Sequence, residues 1–141
     1  MVAEKYLPRI RGEVPTEVFV IVLDGRDVGM IQRYRTSDHP EWDRTIAGSG
    51  LTFRSAAGID YFIGEPDLLG RGIGSAAVAA FTSMVFAEYE DVDSVVVTPQ
   101  AANIPSCRVL EKAGYERRWV GMLDSEHPSD AGRAALYVRQ R

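Results

Sequence analysis

The chain has 141 residues, enough for one domain around one core, and 45% of them are apolar. A formal net charge of −4 with 26% charged residues argues against a general nucleic-acid binder and is compatible with a cationic small molecule. No stretch approaches the roughly 18 apolar residues of a membrane span, so no membrane partner is expected.

Residues 1–10 mix apolar and charged side chains and read as a short helix stopped near Gly12. Residues 17–23 are rich in strand formers, Asp24-Gly25-Arg26-Asp27 is a turn signal, and residues 28–34 complete a hairpin. Residues 36–52 are polar, with His39-Pro40 and Gly48-Ser49-Gly50, and read as a loop with room for a short helix. Residues 57–64 form a strand. Ile73, Ala76, Ala77, Ala80, Phe81, Met84 and Val85 then recur at helical spacing, which predicts a long amphipathic helix over 72–88. Residues 94–98 read as a short buried strand. Asn103 opens a second helix that runs to Ala113, and Gly114 stops it. Residues 115–122 and 134–139 are two further strands. The order predicts an α/β domain over residues 1–141: a mixed sheet with hairpins at both ends and βα units between them.

Gly70, Gly72 and Gly74 lie between a strand and the long helix. Glycines permit positive φ and close approach of a ligand to the backbone. A helix N-terminus offers unpaired N–H groups and partial positive charge, which suit a pyrophosphate, and Arg71 adds a cation. The loop is neither a dinucleotide fingerprint, since Ala76 and Ala77 stand where a third spaced glycine is needed, nor a Walker loop, which needs Gly-Lys-Ser/Thr. Taken alone, a tight strand-to-helix turn that binds nothing explains it equally well.

A second pattern lies downstream: Asn103, Ser106, then Leu110-Glu111-Lys112-Ala113-Gly114-Tyr115. With both patterns in this order, residues 53–115 resemble the GNAT superfamily of N-acetyltransferases. Its phosphate loop reads Arg/Gln-x-x-Gly-x-Gly/Ala, and Leu69-Gly70-Arg71-Gly72-Ile73-Gly74 matches the glycines, with Leu69 in place of the first polar residue. Within that superfamily the chain is most similar to aminoglycoside 6′-N-acetyltransferases, through Gly58-Ile59-Asp60, the glycine loop and the Glu111-Lys112-Ala113-Gly114-Tyr115 helix end. Pro40-Glu41-Trp42 resembles that group and its siderophore-type acyltransferase relatives.

The resemblance implies an acetyl-CoA co-substrate, no metal and no covalent enzyme intermediate. The strand at Phe62, Ile63, Gly64 and Glu65 would pair through its backbone with the pantetheine arm. Leu69, Gly70, Arg71, Gly72, Ile73, Gly74 and Ser75 would hold the pyrophosphate, and Asn103 and Arg108 would reach the coenzyme from the second helix. A small-molecule amine would attack the thioester directly, accelerated by alignment of the two substrates. Acylation of another small amine, such as a siderophore precursor or polyamine, and a non-catalytic coenzyme A-binding module are the alternative expectations.

Asp60 sits among apolar neighbours, where an unpaired charge is costly; by resemblance it binds the acceptor ammonium and removes its proton. A structural pairing with an arginine or a backbone N–H is the plain alternative. Glu65 is an alternative base. Glu41 and Trp42 would line the acceptor pocket, where an aromatic face attracts cations; Trp42 equally suits a core anchor. Asp124, Glu126 and Asp130 read as a solvated acidic loop. Two positions depart from the pattern. Leu110 stands where many members carry a tyrosine that protonates the departing thiolate, and Thr98 stands at the substrate position where the aminoglycoside enzymes carry an acid.

The single Cys107 cannot form an internal disulfide and reads as packing. His39 and His127 are isolated, each followed by a proline, so no metal site is expected, and with no signal peptide the cytoplasm is the default compartment. The family opens with a strand and two helices before the hairpin, whereas only about twelve residues precede it here. A GNAT-type domain shortened at its N-terminus, lacking that first strand and most of both helices, is therefore expected. A bare apolar sheet surface would follow, and with it oligomerisation, for example as a homodimer, or weaker acceptor binding.

Overall fold

The computed structural model describes residues 2–5, 16–39, 46–64, 72–122 and 133–141. Its elements are β1 (Val2–Lys5), β2 (Thr16–Leu23), β3 (Arg26–Arg35), a 3-10 turn (Thr36–Asp38), β4 (Ala56–Ile63), α1 (Ile73–Glu88), β5 (Ser94–Val97), α2 (Ile104–Lys112), β6 (Glu116–Met122) and β7 (Arg133–Gln140). They build one seven-stranded sheet in the order β1-β2-β3-β4-β5-β7-β6. Only the β4–β5 pair is parallel, as the α1 crossover requires. The mixed α/β sheet expected from the sequence is therefore present.

The β2–β3 hairpin turns at Asp24 and Gly25, with φ of 52° and 77°. Two successive positive φ values fit the twist of antiparallel strands, and Asp-Gly is a pair that adopts them. The opening segment differs from its sequence reading. Val2–Lys5 is not helical; it is a strand antiparallel to β2, with Val2 opposite Val22 and Lys5 opposite Phe19. A strand thus precedes the hairpin where none is expected. The free edge of β2 explains it: its N–H and C=O groups need partners, and an added strand supplies them whatever the local helical propensity.

Strand alternation sorts the sheet into two faces. Ala57 and Ile59 of β4 join Phe19, Ile21, Ile31, Val95 and Tyr137 beneath α1 and α2 in the main core. The opposite face has a smaller cluster of Ile46, Ala56, Val96, Leu136 and Val138, packed with Leu51, Phe53 and Trp119. The buried stripe of α1 is Ala77, Val78, Phe81, Thr82 and Val85. It is rotated from the expected stripe, for Ala76 and Ala80 are exposed. Alanine marks a stripe weakly, and the contacts that orient the helix are Phe81 edge-on to Phe19 at 5.2 Å and Thr82 Oγ1 at 2.6 Å from the Tyr115 hydroxyl.

Arg33 ties this face together. It is only 2% exposed, and it bonds Glu17 of β2 at 3.1 Å and Glu88 at the end of α1 at 2.8 Å, with the Phe19 and Tyr89 rings beside it. A buried guanidinium with two carboxylates and two aromatic faces compensates much of its desolvation.

Candidate functional site

The decisive feature is a split in the middle of the sheet. β4 pairs with β5 only at Ala56–Ser94, Ala57–Val95 and Gly58–Val96. Beyond Gly58, β4 follows β3 as far as Ile63 opposite Gly29. Beyond Val96, the other chain stays with β7: Val97 pairs with Tyr137, and the Ala135 N–H donates to the Pro99 carbonyl at 2.9 Å. The two central strands diverge, and among the described residues one edge of β4 over its last five residues has no strand beside it.

Two hydrogen bonds fix which backbone groups face the split. The Asp93 N–H donates to the Ser55 carbonyl on the β5 side, and the Gly64 N–H donates to the Val28 carbonyl on the β3 side, both at 2.9 Å. Main-chain groups alternate sides along a strand. Those of Ile59, Tyr61 and Ile63 therefore point into the split, whereas those of Asp60, Phe62 and Gly64 point toward β3. Of the expected pantetheine neighbours, Ile63 presents backbone groups there; Phe62 and Gly64 do not.

The start of α1 closes one end of the split. Gly72 is the N-cap, with φ of 77° and no side-chain capping bond, and the first turn carries no acidic residue. The N–H groups of Ile73, Gly74 and Ser75 precede any intrahelical partner, as at every helix start. The glycines serve different ends. Among the described residues, a Cβ at Gly72 would meet nothing within 4 Å. A Cβ at Gly74 would lie 3.2 Å from Ile63 Cδ1 and 3.2 Å from Val109 Cγ2, so Gly74 is small in order to seat α1 on β4 and α2. Ser75 Oγ donates to the Gly72 carbonyl at 3.1 Å.

On the open face, Asp60 is exposed rather than enclosed by its apolar sequence neighbours. Alternation turns it away from Ile59 and Tyr61, and that corrects the sequence argument from burial. Gln32, opposite it on β3, donates Nε2–H to Asp60 Oδ2 at 3.0 Å. Phe62 is 67% exposed and Met30 44% exposed, so exposed apolar side chains flank the carboxylate. Val18, Met30, Gln32, Asp60 and Phe62 border an open depression of about 210 Å³.

On the helix face, half-buried Tyr61 reaches α2. Its hydroxyl lies 2.8 Å from Ser106 Oγ and donates to the Ser106 carbonyl at 3.3 Å. Burial raises the phenol above its ordinary pKa, with the Ser106 bond pulling the other way. Asn103 caps α2 by accepting from the Ser106 N–H at 3.3 Å, and Arg108 is exposed. Leu110 is 0% exposed in the core. Thr98 is half-buried just past β5. Cys107 is buried, with its thiol 3.9 Å from the Gln100 carbonyl.

Glu41, Trp42, Glu65, Leu69, Gly70, Arg71, Asp124, Glu126 and Asp130 lie outside the described residues. Sequence reasoning did not single out Gln32 or Tyr61, and it read Ser106 only as part of the Asn103 pattern, without its contact to Tyr61. Period-two alternation over residues 59–63 was the available signal, since it places Asp60 and Tyr61 on opposite faces. Among the described residues, no group of three or more His, Cys, Asp or Glu is assembled as for a metal, and no helix is long and apolar enough to cross a membrane.

Residues 1–121 match the profile described as an acetyltransferase (GNAT) domain. The chain belongs to the GNAT acetyltransferase family. Among GNAT relatives, it is 29% identical over 119 residues to the aminoglycoside N(6′)-acetyltransferase type 1 of Klebsiella pneumoniae, covering 83% of this chain and 56% of that protein. It is 34% identical over 61 residues to a kanamycin resistance protein of Rhizobium radiobacter, covering 43% of this chain and 56% of that one. The chain thus spans just over half the length of these curated relatives. Among solved GNAT structures, the aminoglycoside acetyltransferase AAC(6′)-Ib in complex with coenzyme A superposes with a TM-score of 0.77 at 27% identity, over 96% of this chain and 72% of that one. The same enzyme with coenzyme A and kanamycin also gives 0.77, at 26% identity over 96% and 73%.

Proposed function

We propose that this chain transfers an acetyl group from acetyl-coenzyme A to a primary amine by direct attack, and that the acceptor is an aminoglycoside-type 6′-amine. The observation that carries the reading is the β4 edge that, among the described residues, has no strand beyond Gly58, beside the start of α1, whose N-cap Gly72 makes no side-chain cap bond. An extended amide-bearing arm can occupy such an edge as a strand would, and a pyrophosphate suits the helix start. The residues present fit a coenzyme: Tyr61 and Ile63 offer main-chain groups, and Ile73, Gly74 and Ser75 offer N–H donors. Leu69, Gly70, Arg71, Asn103 and Arg108 would complete the donor side. The coenzyme supplies the activated acetyl group.

Asp60, across the strand from that arm, holds the acceptor ammonium and receives its proton, with Gln32 fixing the carboxylate. Glu65 is the alternative base, and Glu41, Trp42 and Thr98 would line the acceptor pocket. The relatives' names support the aminoglycoside acceptor. A cytoplasmic place follows from the co-substrate.

The bare Met30 and Phe62 beside Asp60, with neutral Thr98, support a second reading: a smaller amine with an apolar frame, or self-association over this surface as a homodimer. Calorimetry with acetyl-CoA tests the donor site, and thiol release over a panel of amines tests the acceptor. Acetyl-CoA binding in the micromolar range is expected, with kanamycin-type amines accelerating release. Failure to bind acetyl-CoA would overturn the donor assignment, and acceleration by another amine alone would overturn the acceptor.

A further inference from the structure

Departure of an alkyl thiolate from a thioester is eased by a proton donor at the sulfur. At the α2 position where the family pattern places a tyrosine, this chain has Leu110, sealed in the core at 0% exposure. No proton donor stands there. The split, however, is flanked by an ionisable hydroxyl that comes from the strand. Tyr61 lies three residues past the last β4–β5 pair, its backbone faces the split, and its side chain crosses to Ser106, one helical turn before Leu110. The geometry points to Tyr61 as the acid that protonates the departing coenzyme thiolate, with Ser106 as the hydroxyl that restores its proton.

Three observations converge on this assignment. Adjacent β4 residues face opposite sides of the sheet, so Asp60 serves the acceptor side and Tyr61 the donor side of one edge. With the thioester on that edge, a base and an acid would stand on either side of the bond to be exchanged. Tyr61 is half-buried and raised above its ordinary pKa by that burial, so it stays protonated at neutral pH, as a donor must. The groups facing it are Ser106 and Cys107 of α2 and the Tyr115 phenol, which is itself raised by burial and bonded to Thr82. Among the described residues none of these is a carboxylate or an ammonium, so the chemistry at Tyr61 is that of a neutral phenol.

The step balances. The neutral amine nitrogen attacks the thioester carbonyl carbon. The C–N bond forms, and the C–S bond breaks with its electron pair leaving on sulfur. Nitrogen gives its proton to Asp60 and thence to solvent, and sulfur takes the Tyr61 phenolic proton. Solvent returns a proton to the phenolate through Ser106 Oγ. The products are an amide and a free thiol.

This inference rests on the acetyl-transfer reading above, and its test separates the two. Tyr61→Phe keeps the ring and its packing. It should lower kcat by roughly 10- to 100-fold and remove the high-pH decline of kcat, while the dissociation constant for coenzyme A stays within about twofold of wild type. Ser106→Ala should lower kcat less and keep that decline. A readout independent of turnover is the titration of the bound coenzyme A thiol, followed by thiolate absorbance. Without the phenol to stabilise the thiolate, its apparent pKa should be higher in Tyr61→Phe than in wild type. An unchanged thiol titration, or wild-type kcat in Tyr61→Phe, would overturn the role of Tyr61 and leave the acetyl-transfer reading standing. Wild-type protein that binds no coenzyme A would overturn both.

Discussion

At the scale of single residues, the proposed arrangement is a matter of which way each side chain of β4 points. Asp60 and Tyr61 are neighbours in sequence yet stand on opposite faces. Asp60→Asn keeps the Gln32 contact geometry but removes the basic carboxylate. Turnover should fall at least roughly tenfold, with coenzyme affinity retained. Steady-state kinetics beside calorimetry checks this, and unchanged turnover would take Asp60 out of the mechanism. Asp60 was legible as a candidate in the sequence through its Gly-Ile-Asp context. Its surroundings were not. Five residues of mixed character do not show their faces until a partner strand fixes them, so a carboxylate that looked enclosed is in fact open to solvent. Gln32, and the contact of Ser106 with Tyr61, were illegible for the same reason: each joins residues 28 or 45 positions apart.

At the scale of elements, the hairpin, both helices and the terminal strand pair were readable because each carries local punctuation. Asp24-Gly25, Asn103 and Gly114 mark a turn, a start and a stop. The first strand was not readable, since four residues with no turn signal acquire strand character only by lying along β2. The split between β4 and β5 has no local mark either; it is a difference in pairing partners. Its geometry nonetheless depends on one small residue. Gly29 faces Ile63 across β3 and β4, and a Cβ there would run into the Phe62 carbonyl oxygen and lie 3.0 Å from Ile63 Cα. Neither is a flexible side-chain tip, so the strands must separate. Gly29→Ala should cost about 1–3 kcal/mol of stability, measurable by thermal or chemical unfolding. It should also weaken coenzyme binding, because it disturbs the end of β4 that borders the split. A melt equal to wild type would show that the strands absorb the methyl group.

At the scale of the whole molecule, the helix face holds several phenols away from water. Burial pushes Tyr89 up to about 12 from an ordinary 10.0, helped by its bond to Glu17. Tyr137 is likewise pushed up to about 12, first by burial and then by Glu111, and Tyr115 is raised by burial as well. A phenol whose folded pKa exceeds its unfolded one favours the folded state while it stays protonated. The contribution is complete below the unfolded value near 10 and is lost as pH rises through the folded one. Stability should therefore be insensitive to these groups up to about pH 10 and fall steeply between there and about 12. Unfolding midpoints taken across that range test the expectation. Tyr89→Phe should soften the decline, and a decline of the same steepness would assign it to other groups.

The alternation of β4 beyond Gly58 also imprints a pattern in time. The Gly64 N–H is bonded to β3, whereas the N–H groups of Tyr61 and Ile63 face the split. In water without coenzyme, the amides of Tyr61 and Ile63 should exchange their hydrogens quickly while that of Gly64 exchanges slowly, a comb along a single strand. A pantetheine arm lying on that edge would fill the gaps, and the comb should flatten into uniform slow exchange. The molecule would then have borrowed its missing strand from its own substrate, and deuterium uptake at two amides would report the loan.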